Sequence, residues 1–172
     1  LRAVRSTYGA ALAGVETTLS CLPPAHLRER VLGLYLPLYL GKTIACGRGP
    51  DLLAEDLAEV RPGYLVAVPR ILEAVHGELQ AELDASSGLR RRVLAHSLEL
   101  GRVHGRLVRA RRAVPPRLAR RWTVADRLVL SRLRDRLGGR LALIACGGDA
   151  LAANVGRFFD ALGIVVSEGW GR

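Results

Sequence analysis

Four short stretches of this 172-residue sequence combine residue types that do chemistry with the loop character that exposes them. Gly147, Gly148 and Asp149 follow an apolar run. Two glycines there let a ligand approach the backbone with no Cβ in the way, and the start of the next helix offers free N–H donors. Glu168, Gly169, Trp170 and Gly171 place an indole between glycines, which leaves a ring face open to stack on a planar heterocycle. His26, after Pro23 and Pro24, can exchange a hydrogen bond with a reacting carboxylate. Arg70, after Pro69, has the charge and fork geometry to pair with a phosphate. Each feature also has a plainer reading: the glycines as a tight strand-to-helix turn, Trp170 as core filling, His26 as a helix cap, and Arg70 as a solvated side chain paired with Glu73.

All four stretches follow segments that read as β-strands. Five such segments, at 17–22, 43–46, 64–68, 141–146 and 164–167, are continuous or nearly continuous apolar runs, the pattern of parallel strands covered on both faces. Helical patterns separate them. Leu52, Leu53, Leu57 and Val60 share one face and are stopped by Arg61, Pro62 and Gly63; Leu151, Val155, Phe158, Phe159 and Leu162 form a stripe that ends at Gly163. The expected fold class is α/β: a partial doubly wound, mostly parallel sheet with an arginine-rich helical insertion at about 70–140. Three helices fill that insertion: one opened by Pro69 and ended by Ser86, Ser87 and Gly88, one running from Leu89 to beyond Leu107 and broken by Pro115 and Pro116, and one carrying Trp122 and ended by Gly138 and Gly139. Ligands of an open parallel sheet bind beyond the carboxyl ends of its strands, so the four stretches should converge on one edge.

Composition narrows the function classes. Hydrophobic residues make up 49% of the chain and charged ones 24%, as in a compact domain, and no apolar run reaches the roughly 20 residues of a membrane span. Cys21, Cys46 and Cys146 stand far apart in apolar surroundings and read as buried thiols of a cytoplasmic protein rather than a disulfide framework. His76, His96 and His104 lie on charged helices at spacings that converge with no cysteine, so no metal site is expected. The net charge of +10 is local: residues 90–140 hold 16 arginines against Glu99, Asp126 and Asp135. That stretch lacks interleaved aromatics and any recognition spacing, so no specific nucleic acid is expected, whereas peripheral contact with an anionic membrane suits the same charge pattern.

Taken in order, the motifs resemble those of the long-chain fatty acid–CoA ligases of the adenylate-forming (AMP-binding) superfamily. They are LSCLPPAH at 19–26 with Arg28 to Arg30, YLPLY at 35–39, LAEDLAEVRP at 53–62, VAVPR at 66–70, Gly147-Gly148, and EGWG at 168–171. The resemblance implies activation of a fatty acid by ATP and Mg2+ to an acyl-adenylate, then transfer of the acyl group to coenzyme A. It also implies residue roles. Gly147, Gly148 and Asp149 match a Gly-Gly-Ala turn along the adenine and the acyl pocket; Glu168, Gly169, Trp170 and Gly171 match the start of a motif whose aromatic ring stacks on adenine; His26 matches a histidine near the acyl and phosphate end.

The chain departs from the family pattern in three ways. Asp149 puts a carboxylate where a small neutral residue is usual, which bears on nucleotide affinity. Trp170 replaces a tyrosine, keeping the stacking face and losing the hydroxyl. The sequence stops at Arg172, ahead of the threonine and glutamate that would touch phosphate and magnesium, and contains neither a phosphate loop nor the C-terminal lid with its lysine. Residues 1–172 are therefore expected to be a central piece of the N-terminal domain, with little turnover alone. The alternatives at this level are a basic helical module binding anionic membrane or nucleic acid, or a non-catalytic remnant.

Overall fold

The computed structural model describes residues 6, 8–85 and 88–169. Its frame is a five-stranded sheet in the order β2-β1-β3-β4-β5, every pairing parallel. The strands are β1 Thr17–Ser20, β2 Thr43–Cys46, β3 Tyr64–Ala67, β4 Leu143–Gly147 and β5 Val165–Gly169. All five segments read from the sequence are strands, and the α/β class holds. The last two end later than the sequence pattern implies, because pairing of Cys146 with Glu168 and of Gly147 with Gly169 carries the ladder into the polar and glycine residues.

Chain order explains the crossovers. α1, π-helical over Glu29–Tyr35 and α-helical over Leu36–Tyr39, links β1 to β2 and packs on β1 and β3. After a 3₁₀ turn at Pro50–Leu52, α2 (Leu53–Val60) leads to β3. The insertion follows as α3 (Pro69–Asp84), α4 (Gly88–Arg109) and α5, which runs from Pro116–Ala125 through a π-helical Asp126–Leu130 into Ser131–Asp135. α6 (Ala153–Ala161) joins β4 to β5. Proline at the first position opens α3 and α5, where its missing N–H removes no helical bond. Ser86 and Ser87, expected to end α3, lie outside the described residues.

Burial divides the sheet as its order demands. β3 and β4 are buried along their whole length, while the edge strands β2 and β5 are partly exposed. Leu19, Leu65, Ile144, Leu72, Phe159 and Ile164 sit in one core. The insertion is fastened to this core at α6. A Cβ on Gly101 of α4 would overlap the carbonyl of Ala161, so the two helices meet backbone to backbone, and Arg109 pairs with Asp160 farther along the same line. Within α5, Arg134 holds Asp126 through two bonds of 2.6 and 2.9 Å and donates to the Leu162 carbonyl at 3.2 Å. No described helix is long and apolar enough to cross a membrane.

Candidate functional site

The carboxyl edge of β4 and β5 brings together two of the stretches singled out in the sequence. Gly147 is the register partner of Gly169, so the turn that starts at Gly147 lies beside the end of β5. Gly147 is sterically required, and a side chain at Gly169 would displace the Arg28 guanidinium. A Cβ on Gly147 would overlap the Gly169 carbonyl and stand 2.5 Å from the Arg28 guanidinium carbon; one on Gly169 would stand 2.7 Å from Arg28 Nη1. Gly148 differs. Its surroundings are open, and what calls for glycine is φ = +105°, which an L side chain tolerates poorly. Gly148 and Asp149 are exposed, and Asp149 Oδ1 accepts the Ala150 N–H at 2.8 Å. Glu168 is exposed. Trp170 and Gly171 lie outside the described residues.

His26 is exposed at the turn that enters α1: its N–H donates to the Pro23 carbonyl at 2.8 Å and its own carbonyl accepts from Arg30. It connects to the β4–β5 edge through Arg28, two residues on. Arg28 Nη2 donates to the Gly169 carbonyl at 3.1 Å, and Nη1 reaches the Cys146 carbonyl at 3.5 Å. Arg70 takes another place. It lines a cavity of about 610 Å3 with Leu22, Pro50, Leu53, Val68 and Glu78, opening where β1, β2 and β3 end. Strand order reverses between β1 and β3, so this cavity lies at the topological switch point, the usual ligand crevice of doubly wound sheets. None of the Gly147–Asp149 turn lines it.

Arg28 and Glu29 carry more of the site than the sequence suggested. Glu29 is fully buried at the start of α1, on the stripe that continues with Leu32, Gly33 and Leu36. The Ser20 hydroxyl and the Leu22 N–H are turned toward its carboxylate and lower its proton affinity, but neither closes a hydrogen bond of good geometry, and burial dominates. The carboxyl is held above the usual range. The clue in the sequence was a glutamate at a stripe position, three, four and seven residues ahead of Leu32, Gly33 and Leu36.

The thiols near this edge stay protonated. Burial pushes Cys146 up to about 11, with Glu168 adding to the effect, and pushes Cys21, whose thiol donates to the Val66 carbonyl at 3.4 Å, up to about 12. What the two turns offer is a strip of side-chain-free backbone at a sheet edge, pinned from below by a guanidinium, against which a flat ring can lie.

Known proteins resemble the chain in sequence and in fold. The model of the AMP-binding enzyme family matches residues 2–172. A protein of Mycobacterium tuberculosis named as a fatty-acid–CoA ligase, fadD11, is 31% identical over 158 residues, covering 91% of this chain and 28% of that protein. The peroxisomal long chain acyl-CoA synthetase 6 of Arabidopsis thaliana is 28% identical over 168 residues, 96% of this chain and 22% of the synthetase. The chain thus spans about a quarter of the length of these relatives. Among solved structures, the adenylation domain of a carboxylate reductase from Mycobacterium chelonae superposes with a TM-score of 0.61 at 25% identity, over 90% of this chain and 20% of that one. Matched by the family model from its second residue to its last, the chain belongs to the AMP-binding enzyme family.

Proposed function

We propose that the chain supplies the adenine-side and acyl-side walls of a long-chain fatty acid–CoA ligase site. The observation that carries this reading is the opposition of Gly147 and Gly169 at the carboxyl edge of β4 and β5. In the first half-reaction a carboxylate oxygen of the fatty acid attacks the α-phosphorus of ATP, and the bond to the bridging oxygen breaks as pyrophosphate leaves. In the second, the coenzyme A sulfur attacks the acyl carbon and AMP departs. Gly147, Gly148 and Gly169 present backbone to the adenine; Asp149 and Glu168 flank it. His26 stands on the acyl side, and Arg70 serves the phosphate end from the neighbouring cavity.

Among the described residues no group of three or more His, Cys, Asp or Glu side chains converges, and none of these roles passes through a metal. The test is fatty-acid-dependent exchange of pyrophosphate into ATP by a chain of full family length carrying residues 1–172. Exchange that requires the fatty acid, and falls at least about tenfold in Gly147→Val, supports the reading. A folded chain with no exchange overturns it.

A further inference from the structure

Two cavities of about 600 and 450 Å3 open side by side on the α4–α5 hairpin and share Val93, Leu128 and Val129, which makes them one continuous trough. Its walls are apolar and open to solvent: Leu89 is 76% exposed, Val124 58% and Leu128 56%. Its rim is cationic, formed by Arg90, Arg92, Arg120, Arg121 and Arg132.

Four carboxylates on the hairpin and the helices packed on it are engaged by other arginines, and Asp84, beside Leu83 of the trough, accepts from Gln80. Glu99 pairs with Arg102, Asp126 with Arg134, Glu82 with Arg136 and Asp160 with Arg109. Among the described residues no carboxylate forms an ion pair with any rim arginine; Arg121 meets only the His96 ring, at 2.9 Å. Uncompensated positive charge and exposed hydrocarbon therefore occupy the same face.

We propose that this trough is a docking surface for an anionic bilayer. The rim guanidiniums meet lipid phosphates, while Val93, Val124 and Leu128 enter the boundary between headgroups and acyl chains. A polyanion without hydrocarbon, such as duplex DNA, would satisfy the rim and leave the apolar walls in water. An apolar protein face would cover the walls and strand five cations. A bilayer that is anionic outside and hydrocarbon inside matches both.

The experiment is co-sedimentation of the full chain with vesicles of one part phosphatidylglycerol to two parts phosphatidylcholine, beside pure phosphatidylcholine vesicles and a DNA duplex. Binding to the anionic vesicles is expected to exceed that to neutral ones by at least about tenfold and to weaken with salt. The triple variant Arg92→Gln, Arg120→Gln, Arg121→Gln and the pair Val124→Ser, Leu128→Ser should each lose about tenfold while keeping the parent circular dichroism. These positions are exposed or half-buried, so folding should survive. No sedimentation at low salt overturns the proposal. So does binding indifferent to the serine pair, which would mark adsorption by charge alone, or stronger binding to DNA. Protection of the trough from hydrogen exchange in the lipid-free full-length protein would also overturn it, by placing another segment of the chain there.

Discussion

Arg28 donates from Nη2 to the carbonyl of Gly169, 141 residues away in sequence and 3.1 Å away in space. This bond, with the longer one to the Cys146 carbonyl, ties the turn after β1 to the ends of both β4 and β5. The two glycines and the arginine form one steric unit: any side chain at Gly147 or Gly169 collides with the guanidinium that holds the edge.

Gly147→Ala should therefore destabilise the fold by about 1–3 kcal/mol, the usual range for forcing a methyl group into a packed site. In Gly147→Ala combined with Arg28→Ala, only the part of that cost due to the flexible guanidinium should disappear, and the larger clash with the Gly169 backbone carbonyl should remain. Chemical denaturation of the two single variants and the double variant measures the coupling. Additive losses would mean that the arginine and the glycine do not share the space described.

Arg28→Gln keeps a donor but shortens its reach, and should cost about 1.5–3 kcal/mol, as for loss of a hydrogen bond from a charged group. Hydrogen exchange should rise at the carboxyl ends of β4 and β5 and stay unchanged in α4 and α5. A uniform rise over the whole chain would show global loosening instead.

Glu29 sets a pH dependence. Its folded carboxyl holds the proton above the ordinary range, so between the unfolded value, about 4.3, and the raised folded value the native chain binds more protons. Stability falls as pH rises through that window. Glu29→Gln removes the slope: at pH 8 the variant should melt above the parent, and the two should converge near pH 4. Melting curves across that range decide it; a variant less stable at pH 8 would mean that the buried charge is compensated.

The three cysteines should separate by reactivity. Cys21 and Cys146 are buried with thiols raised to about 12 and about 11, whereas Cys46 is exposed on the edge strand. At pH 8 a thiol titrating near 11 is about one part in a thousand thiolate. A thiol-reactive disulfide reagent should label Cys46 at once and the others only in denaturant; three rapid equivalents in the native chain would contradict the burial.

Much of the edge was legible in the sequence because parallel strands announce themselves as short apolar runs and end where glycine, proline or charge begins. Gly147, Gly148 and Glu168 were found that way. Strand order was not: TIAC of β2 lies at an edge and YLVA of β3 at the centre, yet both are continuous apolar runs, and only tertiary pairing tells them apart. Arg28 and Glu29 were passed over for a related reason. Charges opening a helix ordinarily face water; the stripe position of Glu29 ahead of Leu32, Gly33 and Leu36 is the one local hint, and nothing local signals that Arg28 turns toward the sheet. The π-helical stretches of α1 and α5 also escape a reading based on a 3.6-residue period.

The central claim is that the backbone beyond β4 and β5 forms the wall for adenine. Titration of AMP into the nitrogen-15-labelled chain tests it directly, because Gly147, Gly148 and Gly169 each report through their own amide. Saturable shifts at these three, lost in Gly147→Val, are the predicted result. Shifts confined to the α4–α5 hairpin, or none at millimolar AMP, would contradict it.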